Sequence, residues 1–240
     1  MKVRLAIDED IPALKEIALA GLSNDLLWQY CFPSRTQRAT AEKDVEHVFK
    51  KCLHSDDGGW ILAVAETPKT GKVVSFAIWQ TIDEEQGEQC NVANQIHKTL
   101  DLPYALDHKV AENITVLLAA IIQSQQNYLT RSGRLMFLHA VITHPHWRGK
   151  GYAKLLCKHS LQLARVKGIV VVALASPFSG YVFYSGNGFA SCGYSAVEVE
   201  GHLEKLELQV MAYTPPPAAE TRRSSLMDFL AWGERKKNSA

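Results

Sequence analysis

His144-Pro145-His146-Trp147-Arg148-Gly149-Lys150-Gly151-Tyr152-Ala153 follows directly on the apolar run Leu135 to Ile142, and an amphipathic pattern begins where it ends. A strand gives way to a helix here. The first amides of a helix have no intrahelical acceptor, and a helix N-terminus carries partial positive charge. Glycines at 149 and 151 let the backbone come close to a bound group, so the turn reads as an anion site suited to a phosphate or pyrophosphate. An ordinary glycine-containing turn has the same local pattern, and the surrounding chain decides between the two.

Downstream, the helix after Gly151 carries Tyr152, Leu155, Leu156 and Leu163 on one side and Lys154, Lys158, Gln162 and Arg165 on the other. Ile169 to Ala175 is nearly all apolar, as a strand buried on both faces should be, and its spacing predicts a parallel partner for Leu135 to Ile142 in a βαβ unit. Ser179 to Ser185 reads as a short helix ended by Gly186-Asn187-Gly188. Phe189 then opens a last strand pair that includes Leu206, Leu208, Val210 and Ala212.

Upstream, Val3 to Ile7 reads as a first strand, and Asp8 or Asp10 as the cap of a helix opened by Pro12 that buries Ile11, Leu14, Ala18 and Leu22. From Ser23 to Arg35 the periodicity fails. This segment reads as a loop crowded with Trp28, Tyr30, Phe32 and Pro33, whose rings either line a pocket or fill the gap between two helices. A second helix starts at Thr36, with Val45, Val48, Phe49 and Cys52 on one face, and Trp60 to Ala65 and Val73 to Trp79 form a hairpin around Pro68 and Gly71. Between Thr81 and Arg134 lies a long segment, acidic at Asp83, Glu84, Glu85 and Glu88, then helical in spacing at Val110, Ile114, Leu117, Ile121 and Tyr128. It reads as an insertion. The domain spans 1–213, with this insertion at 81–134, and a polar tail follows at 214–240.

A chain of 240 residues that is 47% apolar needs neither metal nor disulfides to fold. Its net charge of +1 argues against a dedicated nucleic-acid or anionic-membrane surface and in favour of small-molecule partners. Cys31, Cys52, Cys90, Cys157 and Cys192 lack any Cys-x-x-Cys spacing and read as reduced, mostly buried thiols. Asp8, Glu9 and Asp10 interrupt the N-terminus before any signal-peptide-like run, so the cytosol is the expected location; Ile114 to Ile122 is too short to span a bilayer and reads as part of a packed helix. The sequon at Asn113 counts only in the secretory pathway and is discounted, and the Arg222-Arg223-Ser224-Ser225 patch is a short pattern of a kind that arises by chance.

In its order of elements the chain resembles the GCN5-related N-acetyltransferase (GNAT) superfamily, over most of Met1 to Tyr213 and most strongly from Leu135 to Phe189. The family writes the turn as Q/R-x-x-G-x-G/A, and Arg148, Gly151 and Ala153 stand at its three specified positions. Phe183-Tyr184-Ser185-Gly186-Asn187-Gly188-Phe189 is similar to the family's FYxxxGF segment. The resemblance implies an α/β fold with a mixed, mostly antiparallel sheet of about seven strands flanked by helices, the helical insertion lying between the third and fourth strands. It also implies an acetyl-CoA site. There the backbone amides of Arg148, Gly149, Lys150, Gly151, Tyr152 and Ala153 would hold the pyrophosphate, with charge added by Arg148 and Lys150.

Amine attack on a thioester needs a deprotonated amine, oxyanion stabilisation and protonation of the leaving thiolate. The resemblance carries the oxyanion donor onto the backbone near Val141 and Ile142, and the general acid onto Tyr184 with Tyr181 as fallback. His139 stands where arylalkylamine-type members carry a histidine base, but Phe137 replaces their second histidine; His139 is either that base or a core residue, and Glu66 is the other carboxylate candidate. Trp28, Tyr30 and Phe32 are the expected acceptor-binding residues, and His144 and His146 lack the further ligands a metal needs. The expected protein is an acetyl-CoA-dependent N-acetyltransferase of a small amine, monomeric or homodimeric. The alternatives are a protein or peptide N-acetyltransferase and a non-catalytic CoA-binding module.

Overall fold

Strand-forming runs at Lys2–Leu5 (β1), Trp60–Glu66 (β2), Val73–Asp83 (β3), Arg134–Thr143 (β4), Val170–Ala175 (β5), Ala190–Val197 (β6) and Leu206–Tyr213 (β7) join one seven-stranded sheet in the order β1-β2-β3-β4-β5-β7-β6. The computed structural model describes residues 1–55, 59–83, 134–197 and 206–216, with positions 110, 113, 114, 116 and 117 between them. The acidic residues Glu84, Glu85 and Glu88, most of the insertion, Cys90 and the tail beyond 216 lie outside the described residues. Helices Ile11–Leu22 (α1), Leu26–Cys31 (α2), Arg35–His54 (α3) and Tyr152–Lys167 (α4) flank the sheet. The architecture is the expected mixed, mostly antiparallel one: β4 and β5 pair in parallel, joined by α4, and the remaining described pairs are antiparallel.

Alternation along the strands sorts the core into two faces. Ala63, Ala65, Val74, Trp79, Met136, Leu138, Val171, Ala173 and Met211 meet Leu156, Leu161 and Ala164 of α4. On the opposite face Leu62, Val64, Phe76 and Ile78 meet Leu14, Ile17, Phe49 and Cys52 of α1 and α3. Farther along that face lie Leu135, Phe137, Val172 and Val210, then Leu208 with Leu27, Tyr30 and Leu117 packed on it. Each large side chain buried this way contributes about 1.5–3 kcal/mol, so the two faces, rather than any single ion pair, hold the domain.

Several local expectations are corrected. Residues 26–31 are a helix, not a loop: Asp25 accepts the Trp28 amide at 2.9 Å and caps a turn too short to show a helical period. The second helix begins at Arg35 because Ser34 and Gln37 form a reciprocal capping box. β1 ends at Leu5, and the Asp10 carboxylate accepts from the Ile7 amide and from Nη1 and Nη2 of Arg4 instead of capping α1 with its side chain. The turn of helix after β5 starts at Pro177, widens to a π form over Gly180–Tyr184 and tightens to a 3-10 turn over Ser185–Asn187 before Gly188. The described cysteines are free thiols, buried at 31, 52 and 157 and exposed at 192. Among the described residues no helix is long and apolar enough to cross a membrane.

Candidate active site

The site begins with one extra residue in β4. Trp79 pairs with Leu138 and Ile78 with Ala140, so His139 is left without a partner on β3 and forms a β-bulge. The bulge inverts the alternation. Before it, Met136 and Leu138 face α4; after it, Val141 faces α4 while Ala140 and Ile142 face α1 and α3. The parallel pairing with β5 runs from Leu135↔Val170 to Leu138↔Ala173, and no β5 partner is paired to β4 from His139 onward. β4 thus has a backbone edge open toward β5 over its last five residues.

Hydrogen bonding to β3 identifies which amides face that opening. The His144 amide donates to the Val74 carbonyl at 3.0 Å. Antiparallel alternation then turns the amides of Ile142 and Ala140 toward β3 and those of Val141 and Thr143 toward the opening. Of the two strand residues expected to bind the oxyanion, Val141 presents its N–H there and Ile142 does not. The Ser75 hydroxyl donates to the Ile142 carbonyl at 2.9 Å, which holds this end of β4 against β3.

Beyond β4 the chain reaches the glycine turn. Gly149 and Gly151 have φ of +75° and +85°, the left-handed region, and no atom lies within 4 Å of a Cβ built on either. Backbone conformation, not crowding, requires glycine here. The first helical bond runs from the Leu155 amide to the Gly151 carbonyl, and Gly151 offers no side-chain cap. The amides of Tyr152, Ala153 and Lys154 therefore point out of the helix end. Tyr152 is buried, its ring edge-on to Trp147 at 6.1 Å, so only its backbone reaches the turn. The Lys150 ammonium lies 4.4 Å from the centre of the Trp147 ring. Arg148 is committed differently from expectation: Nε donates to the Thr143 carbonyl and Nη2 to the Gly21 carbonyl, at 3.3 and 3.1 Å, which ties the end of α1 to the turn.

His139 packs in an aromatic box on the α1/α3 face. Its ring stacks on Trp60 with centroids 4.7 Å apart and lies 4.7 Å from Phe137, and Nε2 is 2.9 Å from Gln80 Oε1. Desolvation by these neighbours lowers its pKa to about 3, so the imidazole is neutral at physiological pH. Glu66 is not near it. That carboxylate is bonded to Arg4 on the far side of β2 from β4, which removes it as a candidate base.

Tyr184 lies after β5, buried between Phe183 and Phe189, with both rings edge-on at 5.2 and 5.3 Å. Burial, and then the neighbouring Cys157 thiol, push its phenol above the ordinary tyrosine value. Tyr181 is 80% exposed and shares none of this packing.

The three aromatic residues expected at the acceptor site divide between two faces of α2. Trp28 and Phe32 contact each other at 4.6 Å, whereas Tyr30 packs with Leu27 on Leu208. Leu208 adjoins Gln209, the partner of Ala175 at the end of β5, and Gly21 lies against Ile142 at the end of β4. The chain from α1 to α2 thus crosses the β4–β5 opening on the α1/α3 face. Asn113 of the insertion donates to the Tyr30 carbonyl at 2.7 Å and holds this crossing in place. His144 Nε2 faces Glu16 at 3.6 Å.

Three participants escape sequence reasoning: Gly21, Gln80 and Trp60. A Cβ on Gly21 would come within 2.3 Å of Ile142 Cγ2, and Gln80 is a buried polar residue on an otherwise apolar strand. The second of these had a signal, a lone amide in the run from Val73 to Thr81. The first had none.

The model of the acetyltransferase (GNAT) family matches residues 24–178. No curated protein matches the chain. Among solved structures, a Drosophila melanogaster polyamine N-acetyltransferase that forms N-acetylagmatine is 13% identical, with a TM-score of 0.59 over 89% of this chain and 99% of its own. A mosquito arylalkylamine N-acetyltransferase-like protein 5b is 11% identical, with a TM-score of 0.58 over 89% and 99%. A Corynebacterium glutamicum histone acetyltransferase HPA2 and related acetyltransferase is 15% identical, with a TM-score of 0.58 over 92% and 98%. At these identities the likeness is one of fold.

Proposed function

The chain belongs to the GNAT acetyltransferase family, and from that premise we propose that it transfers the acetyl group of acetyl-CoA to the amine of a small molecule. The observation that carries the reading is the β4–β5 opening, with the Val141 amide on its edge and the glycine turn at its end. The residues fit the donor. Outward-pointing amides at the start of α4 suit a pyrophosphate, and Lys150 adds a cation beside them. Acetyl-CoA supplies the activated acetyl thioester. The Val141 N–H is placed to stabilise negative charge developing on the carbonyl oxygen, as a backbone donor that needs no reorganisation.

Tyr184 serves the leaving sulfur. Its raised pKa keeps the phenol protonated at any working pH, so it donates a hydrogen bond to the thiolate rather than ionising. His139 is not the final holder of the proton. With its pKa near 3, taking a proton from an alkylammonium of pKa about 10 would cost about 10 kcal/mol. It acts instead as a neutral acceptor that orients the amine or a water, and the proton leaves the nitrogen through that water to solvent, from which the departing thiolate is reprotonated. A small acceptor is favoured over a protein one because the α1–α2 crossing, held by Asn113, narrows the approach on the face where His139 lies.

Calorimetry with acetyl-CoA, followed by acetylation assays on a panel of arylalkylamines, polyamines and peptides, tests this reading. Binding plus turnover of free amines is expected. Failure to bind acetyl-CoA, or turnover of peptides alone, would reject it.

A further inference from the structure

Gln80 is an anomaly that the reading above leaves unused. It sits on central strand β3, only 5% exposed, on the same face as Val73, Phe76 and Ile78. A buried amide loses its hydration and must recover it through hydrogen bonds, so an apolar side chain would serve the core better. The register explains what Gln80 does instead. Trp60 pairs across to Gln80 and Gln80 to Phe137, giving a cross-strand row of Trp60, Gln80 and Phe137. The bulge lays the His139 ring against that row, with Trp60 and Phe137 as apolar walls and Gln80 as the polar contact.

None of these three residues carries charge, so the box selects a neutral imidazole. The Gln80 atom that faces Nε2 is Oε1, which can only accept, so this contact suits the tautomer with its hydrogen on Nε2 and its lone pair on Nδ1. We propose that Gln80 is a positioning residue for acetyl transfer: by accepting the Nε2–H of His139, it makes Nδ1 the ring's acceptor for the amine or its water. This rests on the proposed function above, in which His139 orients the acceptor.

Two variants separate the roles. Gln80→Met fills the same space without an acceptor, and Gln80→Glu keeps the acceptor and adds a charge. Long-range proton–nitrogen spectra of the labelled protein, with the His139 signal assigned by its loss in His139→Asn, read the tautomer without any turnover. The wild type is expected to show the Nε2–H form. Gln80→Met should lose that preference and lower kcat about tenfold with the KM for acetyl-CoA held within about twofold, the scale of a lost orienting contact. Gln80→Glu should restore the tautomer and most of kcat, and move the acid limb of the kcat/KM profile upward, because a carboxylate favours the imidazolium. An Nδ1–H tautomer in the wild type, or an unchanged tautomer and kcat in Gln80→Met beside a normally active wild type, overturns the proposal alone. A wild type that acetylates no amine overturns the proposed function, and the role of Gln80 in transfer falls with it.

Discussion

Replacing Gly21 by alanine sets two effects of opposite sign against each other. Gly21 is the penultimate residue of α1, where alanine is favoured over glycine by about 0.5–1 kcal/mol on helix propensity alone. Against this, the new Cβ would stand 2.3 Å from Ile142 Cγ2, whereas carbon atoms rest about 3.5–4.0 Å apart. More than an ångström of movement is needed. β4 resists it through the Ser75 bond to the Ile142 carbonyl and the pairing of Ile142 with Phe76. α1 resists it through Leu14, Ile17 and Ala18, all buried. Overpacking of this kind costs about 1–3 kcal/mol, which leaves a net loss centred on about 1 kcal/mol after the propensity gain. For a chain of this length that lowers Tm by about 2–4 °C. Thermal melts of the wild type, Gly21→Ala, Ile142→Ala and the double variant form a cycle. In the Ile142→Ala background the clash is gone, so Gly21→Ala should become neutral or stabilising there. A Gly21→Ala protein that melts at or above the wild type would refute the close approach of α1 to β4, and with it the argument that α1 and α2 span the opening.

Gly151→Ala places a Cβ at φ +85° and should cost about 1–2 kcal/mol of stability; it should also weaken acetyl-CoA binding in calorimetry, and unaltered affinity would count against the glycine turn as the donor's cradle. Tyr184→Phe keeps the ring packing with Phe183 and Phe189 and removes only the hydroxyl that donates to the leaving thiolate, so kcat should fall about a hundredfold with little change in the KM for acetyl-CoA; retained kcat would remove Tyr184 from the reaction. For Asp10, desolvation alone would raise the carboxyl, but hydrogen bonds from Arg4 and the Ile7 amide and the Arg4 charge outweigh it and hold the pKa below its ordinary value. The stability it confers is complete above about pH 4, the unfolded value, and is lost as pH falls through the lower folded value. Urea denaturation across pH 2 to 7 should therefore show Asp10→Asn less stable than the wild type at neutral pH and less sensitive to acid, and parallel profiles would contradict the pairing.

The parts of the fold legible in the sequence are those set by local periodicity or by glycine. The run Leu135 to Ile142, the turn at Gly149 and Gly151 and the amphipathic α4 were readable because each depends on neighbours in the chain. Residues 26–31 were misread because a six-residue helix has no second turn in which a period can appear. The contacts of Arg148 are not legible for a different reason: its partners, the carbonyls of Gly21 and Thr143, come from the end of α1 and the end of β4, and only tertiary packing brings them together. The split of Trp28 and Phe32 from Tyr30 likewise follows from α2 being helical. Gly21 was invisible because nothing in a helix sequence reports how near a strand will come.

The bulge at His139 is what makes these separate features into one site. Without it, residues after 138 would keep the earlier alternation, Val141 would turn to the α1/α3 face, and the Val141 amide would face β3 in place of the opening. One inserted residue therefore does two things. It turns the Val141 amide to the opening, and it lodges the His139 ring in the box of Trp60, Gln80 and Phe137 on the α1/α3 face. The proposed oxyanion donor and the proposed acceptor-orienting ring are thus coupled by backbone geometry, two residues apart, and cannot be moved independently. It follows that substitutions which relax the bulge should impair both roles together, whereas a change confined to Gln80 should disturb only the second.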